Sequence, residues 1–204
     1  MLTLHYAPNT ISIVVAIALH EAGLAFDTVK VDFATAEQTK PEYLAINPKA
    51  RVPALVVDDE ILTETGAILE WIADTTGKMR PTEPLAAHRM RELMYYLAGT
   101  MHVNHAHRMR GSRWADQQSS FADMQSKVPQ TMAASAAYLE ETLAFAPFTT
   151  GAELTLADPY LFMILCWLEG DGVDIGKTPK VARFREMMNA RDSVQMARAA
   201  GMIT

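Results

Sequence analysis

Two groups of residues in this chain have the types and spacing for chemistry. The first lies between Asn47 and Leu69, which reads N-P-K-A-R-V-P-A-L-V-V-D-D-E-I-L-T-E-T-G-A-I-L. Proline has no N–H, so Pro53 suits the first residue of a strand or a bulge. A bend there exposes the backbone N–H and C=O of Val52. Thr63 or Glu64 then opens a helix, whose first N–H groups lack intrahelical acceptors and suit a carboxylate. From pattern alone, an ordinary strand start and helix cap account for the same residues. The second group is His102, His105 and His107 with Arg108, Arg110 and Arg113, the one basic cluster. His102 and His105 share a helix face, which admits a metal site. No cysteine or carboxylate joins them in that segment, so no metal is predicted. The plain reading is a solvated basic helix end, which complements a helix C-terminus.

The elements that must position these residues follow from periodicity. Leu2 to Tyr6 alternates and reads as a strand, and Ala7-Pro8-Asn9 is turn chemistry. A helix spans about Ser12 to Ala22 and stops at Gly23. Its Ile13, Val14, Val15 and Ile17 are poor helix formers, so packing must hold it. Phe26 to Phe33 alternates again, which makes a right-handed parallel βαβ unit. Pro41 to Ile46 reads as a short helix, 54–62 as a hairpin, and 64–75 as a helix with Ala67, Ile68, Trp71 and Ile72 on one face. This order predicts an α/β thioredoxin-like domain over 1–76. The run 77–84, with two prolines and a glycine, is a linker. Residues 85–204 read as an all-α domain: a long helix over 85–110, a second over 121–143 with Pro129 inside, and an apolar central one over 156–169. Thr155-Leu156-Ala157-Asp158 before that central helix is a capping box with Asp in place of Glu.

Composition narrows the classes. The 204 residues carry a net charge of −6, which disfavours a broad nucleic-acid footprint. The single cysteine, Cys166, permits no internal disulfide and no CxxC motif, and fits a cytoplasmic location. No signal peptide is read at the N-terminus, and no apolar run reaches the roughly 20 residues of a membrane span.

The stretch N-P-x-x-x-V-P-A-L followed by T-E-T-G-A-I resembles the glutathione-binding core of cytosolic glutathione transferases. The thioredoxin-like domain followed by a helical one is similar to their two-domain plan, the glutathione transferase fold, over nearly the whole chain. T-x-x-D resembles the capping box of their core helix. The resemblance implies a cis bond at Pro53, and that Val52 pairs with the cysteinyl backbone of glutathione. It implies that Glu64 and Thr65 hold the γ-glutamyl end, with Arg51 in the same site. The bacterial beta class looks closest, with Y-x-P-x-x-C-S matched by Tyr6, Pro8 and Ser12. Ile11 stands where that class carries its cysteine, so a mixed disulfide with glutathione is impossible there. His102 resembles the beta-class histidine at the inter-domain cleft, although Val103 replaces the lysine that follows it.

Glutathione chemistry needs the thiolate, and a free thiol has a pKa of about 8.5. A hydroxyl donor or a helix N-terminus aimed at sulfur lowers it. Ser12 is the favoured donor, ahead of Thr10 and Tyr6. A plain N-cap accounts equally for Ser12 or Thr10, and a strand-end core residue for Tyr6. The implied activity is conjugation of the glutathione thiolate, as co-substrate, to a small electrophile by a homodimer. A glutathione-dependent isomerase or peroxidase, and a non-catalytic glutathione- or protein-binding member, are the alternatives.

Overall fold

The computed structural model describes residues Met1 to Thr204, which divide into two units. One contains Met1–Arg80 and Asn189–Thr204; the other is Pro81–Met188. The first is thioredoxin-like. Strand β1 (Leu2–Tyr6) pairs in parallel with β2 (Asp27–Lys30) and antiparallel with β3 (Ala54–Val57), which pairs antiparallel with β4 (Glu60–Thr63). The order is β2-β1-β3-β4. Helix α1 (Ile13–Ala22) connects the parallel pair, α2 (Pro41–Leu44) precedes β3, and α3 (Thr65–Thr76) follows β4.

Helix α1 is apolar all round and almost wholly buried, from Ile13 to Leu19. Such a helix has no solvent face, so it must be covered on every side. It packs against α3, against β1 and against α9 (Asp192–Ala199). Gly23 ends it at φ 75°, with Gly23 N–H donating to His20 O and Leu24 N–H to Leu19 O, a Schellman cap.

Two sequence expectations are corrected here. The strand predicted over Phe26–Phe33 shrinks to Asp27–Lys30, and all four residues are exposed. It is an edge strand with β1 as its single neighbour; Val31 and Phe33 turn inward beyond its end. The residues 85–204 were expected in one helical domain, yet Asn189–Thr204 belongs with the first unit. Periodicity reveals a helix but not its partner. The partner is α1, through Glu21. Arg191 forks onto Glu21 with Nε to Oε1 at 2.6 Å and Nη2 to Oε2 at 2.8 Å, and Ser193 Oγ donates to Oε1 at 2.6 Å.

The second unit is all helical. Helix α4 (Pro84–Tyr96) runs through one π turn (Leu97–Met101) into α5 (His102–Ala106), so the helix expected over 85–110 is interrupted by a π turn and ends at Ala106 rather than at 110. Glu83 caps α4 through Leu85 N and Ala86 N. Met90, Leu93, Met94, Leu97 and Met101 are buried along one side, as the periodicity predicts. Helix α6 (Gln118–Thr142) contains Pro129, and every residue of α7 (Ala157–Leu165) is buried. Helix α8 (Pro179–Asn189) leads out of the unit.

Asp158 reaches back to Thr155 N at 2.6 Å and also accepts from Thr149 N at 2.8 Å. The Thr155 hydroxyl donates to the same carboxylate at 2.9 Å rather than accepting from the helix, so the box closes around Asp158. Burial pushes the Asp158 carboxyl up, opposed by these donors. Pro159 sits in the first turn, where a missing N–H costs no helical bond. No helix is long and apolar enough to cross a membrane.

Burial pushes the Glu21 carboxyl up, but the bonds from Arg191 and Ser193 and the Arg191 charge outweigh it, and the net direction is down from 4.5. A carboxylate with a depressed folded pKa stabilises the fold above its unfolded value and loses that contribution as pH falls through the folded one. Glu21→Gln is expected to cost about 2 kcal/mol at neutral pH. The cost should shrink at pH well below 4.5. Urea midpoints at both pH values check this; an equal cost at each would contradict it.

Candidate functional site

Strand register builds the site. His5 pairs with Ala54, and Ala54 with Thr63. The ladder ends there, and Tyr6, Pro53 and Glu64 are the next residues along the three chains. Neighbouring strands lie about 4.8 Å apart. Three chain segments therefore meet at one end of the sheet: the loop 7–12, the Arg51–Pro53 bend, and the start of α3. Side-chain packing agrees, since Ala7, Val31, Tyr43 and Val52 form one buried cluster with Phe33 against it.

The middle segment is held most firmly. The Val52–Pro53 bond is cis. The Arg51 carbonyl accepts from Tyr43 Oη at 2.7 Å and from Asn47 Nδ2 at 2.6 Å. Arg51 C=O and Val52 N–H belong to one planar trans peptide, so pinning the oxygen fixes the opposite direction of the N–H. No backbone group outside the regular elements pairs with Val52 N–H or C=O. Burial pushes the Tyr43 phenol up to about 12, so it stays protonated and keeps donating. Asn47, almost fully buried, also accepts from Lys49 N at 3.1 Å, and Ala50 turns the loop at φ 55°. The side chain of Arg51 is exposed.

At the start of α3, Glu64 takes φ 71° and ψ 115°, outside the helix and outside the ordinary left-handed region. A non-glycine residue there costs of order 1–3 kcal/mol and persists where its surroundings hold it. The Glu64 carbonyl accepts from Ile68 N at 3.0 Å in the first turn of α3, and Lys49 Nζ donates to Glu64 Oε1 at 2.6 Å and to Thr63 Oγ1 at 2.8 Å. Glu64 remains 67% exposed, so its carboxylate faces solvent beside the buried Thr65.

The loop 7–12 carries the hydroxyls. Ser12 is fully buried and precedes α1; its Oγ accepts from Ala7 N at 3.1 Å. Thr10 is partly exposed and donates to Ala7 O at 2.8 Å. The two hydroxyl oxygens lie 2.7 Å apart, and Ser12 Oγ is also 3.2 Å from Ala7 O. Ile11 is buried. Tyr6, 7% exposed, is a core residue.

In the second unit, His102 and His105 both lie against Trp167, with ring centroids at 5.2 and 4.1 Å. His105 Nδ1 meets the buried Asp171 carboxylate at 2.8 Å. No group of three or more His, Cys, Asp or Glu is arranged to hold a metal. Asp171 is distant in sequence from the histidines, which is why the segment alone showed no carboxylate partner.

Sequence reasoning gave no site role to Tyr43, Asn47 or Lys49. Asn47 and Lys49 stand inside the N-P-K-A-R-V-P motif, and an Asn two residues before a Lys in such a loop signals an Asx turn. Tyr43 carried no local signal, because its partner lies eight residues on.

The family described as glutathione S-transferase, N-terminal domain, matches residues 2–74, and glutathione S-transferase, C-terminal domain, matches residues 108–192. The chain is similar to a glutathione transferase homolog from Sulfitobacter whose crystal structure holds bound glutathione: 57% identity, 99% of each chain covered, TM-score 0.97. It is similar to glutathione S-transferase GstA of Escherichia coli O157:H7, 29% identical over 97% of each chain. It is also similar to the beta-class glutathione S-transferase of Sphingomonas chungbukensis, at 30% identity, 97% and 98% coverage and a TM-score of 0.84.

Ser12→Ala would leave Ala7 N–H without its buried acceptor. The expected loss is about 1–3 kcal/mol of stability. Denaturant unfolding measures it, and a change below a few tenths would mean that the loop repacks at no cost.

Proposed function

Since the chain belongs to the glutathione S-transferase family, we propose that it binds glutathione at this end of the sheet and adds its sulfur to a small electrophile. One observation carries the reading: the Arg51–Val52 peptide is pinned from within, which leaves the Val52 N–H and C=O to a ligand. An extended cysteinyl residue would pair with both, as a further short strand does.

The other roles follow from the neighbours in the rank. The γ-glutamyl carboxylate goes to the first N–H groups of α3 and the Thr65 hydroxyl. The ammonium goes to Glu64, whose Oε2 is not engaged by Lys49. Lys49, paired with Glu64, lies with it at the γ-glutamyl end, and the exposed Arg51 supplies positive charge to the same ligand.

Of the three donor candidates, the geometry supports Thr10 over the Ser12 that sequence favours. Ser12 is fully buried and accepts from Ala7 N, whereas Thr10 has exposed surface. If Thr10 turns its proton to the sulfur, Ala7 O loses a donor at 2.8 Å, and the Ser12 hydroxyl at 3.2 Å takes its place. The loop then supplies one donor to the anion and keeps Ala7 O paired, and gives up the proton between the two hydroxyl oxygens. Tyr6 is in the core and is left out of this role. With the thiolate stabilised, its electron pair forms the S–C bond while the leaving group departs or a π bond opens, and proximity supplies most of the rest.

We also infer a homodimer, in keeping with the family. Within the second unit Tyr95, Tyr138 and Leu85 are exposed on α4 and α6, at 72%, 47% and 59%. Light scattering at micromolar concentration should give twice the chain mass; a monomer would sink the inference.

The thiolate of bound glutathione is followed by its ultraviolet absorbance. Thr10→Val should raise its pKa by about one unit, because a hydrogen bond to a charged group is worth roughly 1.5–3 kcal/mol. Ser12→Ala should move it less. Glu64→Gln should leave the pKa in place and weaken binding by about 1 kcal/mol, roughly fivefold, given its exposure. A thiol pKa unmoved by Thr10→Val removes that role. Calorimetric binding without turnover of a chlorinated dinitrobenzene would replace the transferase reading by a binding one.

A further inference from the structure

The loop that carries Thr10 and Ser12 is gripped from outside by a segment far away in sequence. The bonds among Ala7, Thr10 and Ser12 are internal to the loop. Asn9, at its tip, faces residues 202–204. Asn9 N–H donates to Met202 O at 2.9 Å. Its Nδ2 donates to Thr204 Oγ1 at 2.7 Å, and its Oδ1 accepts from Thr204 N at 3.0 Å. Asn9 also takes φ 57°, a left-handed conformation that Asn tolerates better than most residues. One residue thus supplies the turn, a donor and an acceptor.

The gripping segment is itself fixed. Met202 and Ile203 are 2% and 5% exposed. After α9 the chain turns at Gly201, φ 69°, with Gly201 N–H donating to Arg198 O and Met202 N–H to Ala197 O. Helix α9 is tied to α1 through Arg191, Ser193 and Glu21. Helix α1 begins immediately after the loop. The contacts form a closed circuit: loop, α1, Glu21, α9, Met202–Thr204, and back to Asn9.

We propose that Asn9 is a positioning residue, which the Met202–Thr204 segment holds so that the Thr10 hydroxyl, with Ser12 behind it, is set toward the glutathione sulfur. The proposal rests on the glutathione reading above. A hydroxyl stabilises a thiolate to the extent that its direction is set in advance, since an anion donor that must reorient loses part of its effect. The two residues between Asn9 and Ser12 are too few to absorb a shift of Asn9 without moving Thr10. Asn9 itself acts through the loop and makes no contact with sulfur.

The test uses the full chain with Asn9→Gly, Thr204→Val and the double variant. Glycine keeps the left-handed backbone and removes both side-chain bonds; valine removes one hydroxyl. Two readouts are taken: the absorbance titration of bound glutathione, and backbone amide exchange across residues 9–13. Asn9→Gly should raise the thiol pKa by about half a unit and speed exchange in the loop. Glutathione affinity well above the thiol pKa and the thermal midpoint should change little. Thr204→Val should act in the same direction and less, and the double variant should match Asn9→Gly, because the bond that Thr204→Val removes is already lost in Asn9→Gly. An unchanged thiol pKa and unchanged exchange in Asn9→Gly overturn the proposal. So does a fall in thermal midpoint and affinity with the thiol pKa in place, which is the signature of a purely structural tie. If wild-type protein neither binds glutathione nor lowers its thiol pKa, the glutathione reading fails on its own. Exchange at residues 9–13 then decides alone whether the distant segment positions the loop.

Discussion

The peptide between Arg51 and Val52 is the constraint on which the rest of the site depends. Its oxygen accepts two hydrogen bonds, from a buried phenol and a buried amide. Both donors are neutral and buried, so they stay in place over the whole range in which a thiol titrates. A peptide is planar, so the direction of the Val52 N–H follows from that of the Arg51 oxygen. Two donors on one carbonyl also polarise the shared π system and make the N–H a better donor. The bend at Pro53 then separates this group from the β3 ladder, which begins at Ala54. Everything else at this end of the sheet is set by register from that point. A one-residue slip of β3 against β1 or β4 would turn Val52 out of its cluster with Ala7, Val31 and Tyr43.

The first unit owes its shape to α1. A helix without a polar face needs neighbours on all sides, and the sheet and α3 cover only part of it. The remaining side is met by α9, which explains why the last residues return to this unit. The carboxylate that anchors them, Glu21, stands at the C-terminal end of α1, where the helix dipole disfavours negative charge. Arg191 and Ser193 compensate there with three short bonds.

Much of this was legible in the sequence, for identifiable reasons. Strand alternation in Leu2–Tyr6, the P-A-L-V-V start of β3 and the glycine stop at Gly23 are local signals, and each element formed where they predicted it. The V-P junction and the E-T pair lie within one short stretch, so their neighbourhood could be read along the chain. The bonds that make the site rigid were not legible, because they join residues whose separation carries no pattern. Tyr43 to Arg51, Lys49 to Glu64, and Asn9 to Thr204 are contacts of tertiary structure. The same holds for Asp171, which meets His105 from 66 residues away. The preference for Ser12 over Thr10 rested on its place at the helix start. That place is what buries it: a residue leading into a wholly buried helix is carried into the core with it.

Ile11 sharpens the consequence. A cysteine at that position offers covalent chemistry, in which a second sulfur can take up glutathione as a disulfide. Isoleucine removes that route and leaves an apolar side chain buried between two hydroxyl residues. An apolar neighbour lowers the local dielectric, which strengthens a hydrogen bond to an anion but raises the cost of an anion that lacks one. In the proposed reading, sulfur chemistry then depends on the direction of a single O–H. The hydroxyl pair suits that demand, since Ser12 can satisfy Ala7 O whenever Thr10 turns away. A lone hydroxyl would have to choose between the backbone and the ligand. Two hydroxyls divide the tasks between them, and what they give up is the proton shared between their oxygens, which lie 2.7 Å apart.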